Sequence, residues 1–184
     1  MKGKIITVNG EINPHEAGTI ITHEHLLVDV SLVYSPPSDL EEYNGNEKIS
    51  LENIGWVSYN WNNNKDNLLL NDVNLAIEEI KLLKEAGGNT IVDVTPIGIN
   101  RQPELIKKIS IKSGVNVIMG SSFYVQISHP DYVINETPEQ LSKRIIHDIV
   151  EGVEDSGIRS GIIGEVGCTY PWHESEKKVL LASI

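Results

Sequence analysis

With 184 residues, 40% of them hydrophobic and 22% charged, the chain is long enough to bury a core, and its composition excludes the disordered and collagen-like classes. A formal net charge of −11, from 26 acidic against 15 basic residues, repels phosphate backbones, so nucleic acid is not an expected partner. No apolar run approaches the ~18 residues of a membrane-spanning helix, the first residues lack a signal-peptide pattern, and the single Cys168 suits a reducing compartment. The expectation is a cytoplasmic protein with a small-molecule substrate and no membrane partner, with homodimerisation left open.

In chain order, residues 4–12 place Asn9-Gly10 between two apolar runs, the dipeptide that best tolerates positive φ, which predicts a β-hairpin within an extension covering residues 1–17. Gly18 to Thr22 is a β-branched run read as a strand that ends in His23-Glu24-His25. From Asp29 to about Asn67, Pro36-Pro37, the aromatics Trp56, Tyr59 and Trp61, and the run Asn62-Asn63-Asn64 break any period. That stretch is predicted to be a long loop with at most a short helix, of a length usually kept for function.

Regular alternation follows. Val73, Ala76, Ile77, Ile80 and Leu83 lie at helical spacing within 71–86, closed by Gly87-Gly88. Residues 90–94 read as a strand, Pro103 to Ser113 as a helix stopped by Gly114, and Val115 to Met119 as a strand closed by Gly120. Thr137-Pro138-Glu139-Gln140 caps a helix with Leu141, Ile145, Ile149 and Val153 on one face, expected to run to Gly157. Gly161 to Val166 is the fourth strand, and a further helix starts at Glu174.

Strands alternating with helices of this length imply an α/β fold with a parallel sheet and helical crossovers. The strands are apolar nearly throughout, as expected where both faces are buried. Their C-terminal ends carry His23 and His25, Asp93 and Thr95, Ser121 and Ser122, and Glu165, and barrel enzymes keep their chemistry at that end. Four units are half of a (β/α)₈ TIM barrel, so the chain reads as a single domain, residues 18–184 covering units one to four, or else as a small open sheet.

Side chains two apart on a strand point the same way, so His23 and His25 can converge on one cation, with Thr22 or a backbone carbonyl fixing the tautomer. A His-x-His pair by itself is a weak signal, because polar loop histidines are common. Glu165 lies inside a run that otherwise reads as buried strand, where a carboxylate needs a cation, a metal or a proton. Together the three favour a metal site.

Gly18-Thr-Ile-Ile-Thr-His-Glu-His-Leu26, Gly87-Gly-Asn-Thr-Ile-Val-Asp-Val-Thr-Pro96, the Gly120 to Tyr124 turn and Ile163-Gly-Glu-Val-Gly-Cys-Thr-Tyr-Pro171 resemble the phosphotriesterase family of the amidohydrolase superfamily, in the same order over essentially the whole chain. The resemblance implies that His23 and His25 bind the more buried of two divalent ions, zinc first, with manganese, cobalt or iron as alternatives. It implies that Glu165 bridges both ions, as in the glutamate branch, and serves catalysis. It further implies hydrolysis of a lactone, ester or phosphotriester by metal-activated water. Family members draw two more histidines and an aspartate from later strands, and His129, His147 and His173 do not lie where those ligands should. Tyr124 and Arg101 are candidates for holding substrate, Asp93 for orienting ligands, and Cys168 for packing. The rival readings are a TatD-type deoxyribonuclease, which shares the first-strand His-x-His and a fourth-strand Gly-Glu-x-Gly, and an inactive half-barrel serving as a binding or assembly module.

Overall fold

In a computed structural model, which describes residues 3–38 and 43–184, the hairpin forms as β1 (Ile5–Thr7) and β2 (Gly10–Ile12), paired antiparallel with Ile5 opposite Ile12. Thr7 pairs with Gly10, so the two-residue loop is Val8-Asn9, one position before the expected Asn9-Gly10. Burial explains the shift. Val8 is 2% exposed, its N–H donates to the Val117 carbonyl at 2.9 Å, and the Asn9 amide donates to the Ser110 hydroxyl at 2.7 Å.

β3 (Thr19–Glu24) follows, ending two residues later than expected, so that His23 lies within it and His25 just past its end. The stretch expected to be a loop is instead a compact unit over Val28–Asn71. Its ends pair antiparallel as β4 (Val28–Asp29) and β5 (Leu69–Leu70), with α1 (Ile54–Tyr59) between them. The asparagine run is what makes it compact: the side-chain amides of Asn62, Asn63 and Asn64 donate to the carbonyls of Val33, Ser35 and Glu47. These bonds satisfy backbone groups that no ladder serves. Tyr43 stacks on Trp56 with ring centroids 5.0 Å apart. Residues 39–42 of that expected loop lie outside the described residues.

The remaining elements belong to the other unit, residues 1–27 and 72–184. They are α2 (Val73–Glu85), β6 (Gly88–Asp93), α3 (Pro103–Ser113), β7 (Asn116–Ser121), α4 (Tyr132–Asn135), α5 (Pro138–Val150), β8 (Ile162–Ile163) and α6 (Glu174–Ala182). Gly114 closes α3 at φ 72° and Thr137 accepts from the Gln140 amide, as the sequence marks, while α2 starts later than the expected residue 71, after Asp72, which caps it by accepting from the amides of Asn74 and Leu75. α5 stops at Val150 rather than running to Gly157, because the chain turns at Gly152, with φ 120°, to bury Val153 against the core. α4 was not expected.

β3, β6, β7 and β8 form one parallel sheet in that order, with β6 and β7 central and buried. The edge strands β3 and β8 are mostly exposed, contrary to the expectation of burial on both faces. One core cluster joins α2 and α3 to the sheet through Ile77, Ile91, Ile106, Ile109 and Val117; a second gathers Phe123, Val133, Leu141, Ile145 and Val179 around α5 and α6. The sheet with its helical crossovers is part of a (β/α)₈ barrel. Among the described residues no helix is long and apolar enough to cross a membrane.

Candidate metal centre

His23 and His25 reach the C-terminal end of the sheet on β3, whose Glu24 pairs with Asp93 of β6. Glu165 arrives there by a different route. Past β8 the backbone turns inward across the strand ends: the Gly164 amide donates to the Ser121 carbonyl at 2.8 Å and the Glu165 amide to the Val94 carbonyl at 3.1 Å. That crossing depends on Gly120, where a Cβ would stand 2.1 Å from the Gly164 oxygen. β8 is therefore shorter than the expected strand, because its continuation bonds to the ends of β7 and β6 in turn.

The three side chains converge. His23 Nε2 lies 3.2 Å from Glu165 Oε2, and His25 Nε2 lies 3.4 Å from Glu165 Oε1. One donor atom from each residue falls within 4.8 Å of the others. Two ligand atoms, each about 2.1 Å from a tetrahedral cation, sit about 3.4 Å apart, a spacing that each histidine already has to one of the two Glu165 oxygens. Two imidazoles with one carboxylate also make up the usual three-ligand set of a catalytic zinc. The Glu165 side chain is 18% exposed, that of His25 28% and that of His23 63%, so the cluster opens to solvent on the His23 side.

A buried network holds this end of β3. Asp93, fully buried, accepts from the Leu26 amide at 2.9 Å and from the Thr95 amide at 3.0 Å. Burial pushes its carboxyl above the usual range, and those two amides only partly oppose the shift. Thr95 Oγ1 lies 2.9 Å from His25 Nδ1 and 3.3 Å from the Leu27 carbonyl. The partner of the second His25 nitrogen is thus Thr95, not Thr22 or a main-chain carbonyl.

Tyr124 lies close enough to feel Glu165: burial first, and then that carboxylate's charge, raise its phenol above the usual value. It therefore stays a proton donor at neutral pH. Arg101 does not join the cluster. Its guanidinium is 6% exposed and committed to Asp148 at 2.8 Å and to the Gly120 carbonyl at 3.2 Å, with Ser121 donating to the same Asp148 oxygen at 2.7 Å. The cleft of about 470 Å³ beside it, lined by Ile97, Tyr132, Lys143 and His147 among others, shares no residue with the metal cluster. Arg101 is thus paired with Asp148, borders that cleft, and stands apart from His23, His25 and Glu165.

His129 is also accounted for, with its Nε2 3.0 Å from the Tyr124 carbonyl and its Nδ1 3.1 Å from the Ser175 hydroxyl. The carbonyl can only accept, which places the ring proton on Nε2. His173 caps α6, accepting from the Ser175 amide, and His147 is exposed on α5. None of the three joins the cluster. Cys168 is exposed rather than packed.

Sequence reasoning missed Glu176. It is fully covered, and it accepts from the amides of Gln126, Thr169 and His173 and from the Thr169 hydroxyl. Burial by itself would push this carboxyl up, but those donors outweigh it and hold it at about 2. One anion thus ties the loop after β7, which carries Tyr124, to the segment after Glu165. The signal for it is a capping box in which the N-cap is His173 instead of the usual Ser, Thr, Asp or Asn.

The profile of the Phosphotriesterase family matches residues 3–184. An N-acetyltaurine hydrolase from Xenopus tropicalis is 40% identical over 184 residues, covering all of this chain and 53% of that protein. Its counterpart from Dictyostelium discoideum is 37% identical over 98% of this chain and 55% of its own length. Among solved structures, a resiniferatoxin-binding protein from Rhodobacter sphaeroides superposes with a TM-score of 0.96 at 34% identity, covering 98% of this chain and 51% of that one. The chain spans about half the length of the curated relatives it matches. With a match that runs from residue 3 to residue 184, the chain belongs to the Phosphotriesterase family.

Proposed function

We propose that the whole protein to which residues 1–184 belong is a metal-dependent hydrolase of an N-acyl amide, with N-acetyltaurine or a similar acylated amino sulfonate as substrate. The observation that carries the reading is the convergence of His23, His25 and Glu165 on a volume the size of one cation. The name shared by the N-acetyltaurine hydrolases moves the substrate from the lactone, ester or phosphotriester expected from the sequence to an amide. The family match favours this reading over a TatD-type nuclease.

His23 and His25 would hold the ion through Nε2, and Glu165 through its carboxylate. When bound, the ion supplies Lewis acidity to a water and to the scissile carbonyl. Zinc suits this donor set best, with manganese, cobalt or iron as alternatives. A second ion, as the family resemblance implies, needs donors beyond these three, since no further histidine or carboxylate joins the cluster among the described residues. Glu165 borders the reaction volume and can accept a proton from the attacking water. Tyr124 keeps its phenolic proton and can donate to the substrate oxygen.

The test is metal content and turnover on the whole protein, with N-acetyltaurine, a lactone panel and paraoxon as substrates. Glu165→Ala should lose bound metal and amide hydrolysis together. A variant that keeps both, or a wild type that cleaves only lactones or only paraoxon, rejects the proposal.

A further inference from the structure

We infer that Thr95 fixes the ring proton of His25 on Nδ1 and thereby makes Nε2 the cation-facing lone pair. The inference rests on the metal reading of His23, His25 and Glu165 and adds a residue to it. Thr95 is fully buried, and its Oγ1 lies 2.9 Å from His25 Nδ1 and 3.3 Å from the Leu27 carbonyl, while the Asp93 carboxylate, another group that accepts, also draws on this hydroxyl. A hydroxyl carries one proton, and a carbonyl can only accept. When that proton goes to Leu27, the lone pair left on Oγ1 must receive a proton from Nδ1, and a neutral ring protonated there has a bare Nε2. Nε2 is the nitrogen that faces Glu165 Oε1 at 3.4 Å. The opposite arrangement, with the hydroxyl donating to Nδ1, leaves the proton on Nε2, where it blocks coordination.

The position of the hydroxyl is itself held. Asp93 binds the Thr95 amide with one oxygen and the Leu26 amide with the other, so a single buried carboxylate sets the backbone on both sides of the His25–Thr95 contact. Thr95 is two residues beyond Asp93 on the same chain, and Leu26 directly follows His25. Thr95 is a positioning residue: it reaches the cation only through His25.

The experiment compares wild type, Thr95→Val and Thr95→Ser in the whole protein, measuring zinc affinity by chelator competition and the urea midpoint of each metal-free form. Valine keeps the shape and removes the hydroxyl, and it should weaken zinc binding about 10- to 100-fold. Serine restores the hydroxyl and should bind within a few-fold of wild type. Nitrogen-15 histidine NMR of zinc-loaded wild type gives a readout that needs no variant, because His25 should show a proton on Nδ1 and zinc on Nε2. Wild-type affinity in a folded Thr95→Val, or zinc on Nδ1 of His25, overturns the assignment. A wild type that binds no zinc, or whose zinc affinity survives both His25→Ala and Glu165→Ala, overturns the metal reading and this inference with it.

Discussion

Replacing Glu176 with glutamine removes the charge from a side chain that no solvent reaches, while keeping its shape. In the fold its carboxyl is held at about 2, against an ordinary 4.5. At about 1.4 kcal/mol per pKa unit the full difference is on the order of 3 kcal/mol. The carboxylate lies under a thin cover of its own loops, close to the surface, and screening there reduces the contribution to about 1.5–2 kcal/mol. The sign follows from the folded pKa being the lower one. The stabilisation is complete above pH 4.5 and is lost as pH falls from there toward 2. Urea unfolding midpoints of wild type and Glu176→Gln, measured from pH 7 down to 2.5, should show a titrating difference of about 1.5–2 kcal/mol that is lost below pH 4, on top of a pH-independent cost of about 1–3 kcal/mol from the glutamine N–H₂ facing donors that the carboxylate accepted. The other carboxylates with lowered pKa, Glu16, Glu136, Glu139 and Glu174, titrate alike in both proteins and cancel in the difference. A gap that stays constant across that range would show that the charge of Glu176 contributes nothing, and the reasoning would fail.

Gly120→Ala drives a methyl into the Gly164 carbonyl, so the segment carrying Glu165 must shift; a loss of about 1–3 kcal/mol in urea unfolding, with weaker zinc binding, is expected. Asp93→Asn leaves one of two buried amides facing an N–H₂ group and should cost about 1–3 kcal/mol in the same assay. Because burial raises the Asp93 carboxyl in the fold, wild type recovers part of this group's desolvation cost as pH falls through the raised value toward 3.8, so the loss on substitution should grow over that interval.

The helices were the most legible part of the sequence, because their information is local. Pro103 and Gly114 bracket α3 at the residues where it begins and ends, and Thr137 marks the start of α5. His23, His25 and Glu165 were legible through strand-end placement and the family's motif. Features that depend on contacts across the chain were not. Glu165 reaches the histidines because its segment leaves β8 and bonds to Ser121 and Val94, and no local pattern encodes that turn. Arg101 could be named only as a candidate because its partner, Asp148, lies 47 residues away on α5. The asparagine run read as a loop signal because its amides bind main-chain carbonyls 17 to 29 residues distant.

The histidines stand on one margin of the four-stranded sheet, and the glutamate comes from the chain that has just left the other. An ion held by all three would act as a clasp, fastening residues 142 positions apart in sequence and holding the two margins together. Sheet curvature and ion affinity would then be linked: whatever flattens the sheet would loosen the grip, and occupancy would stabilise the folded state by RT ln(1 + [M]/Kd), about 2.7 kcal/mol at a hundredfold excess over Kd. Anything that bears on the margins, including whatever chain lies against β3 or β8, can tune the affinity without touching a ligand.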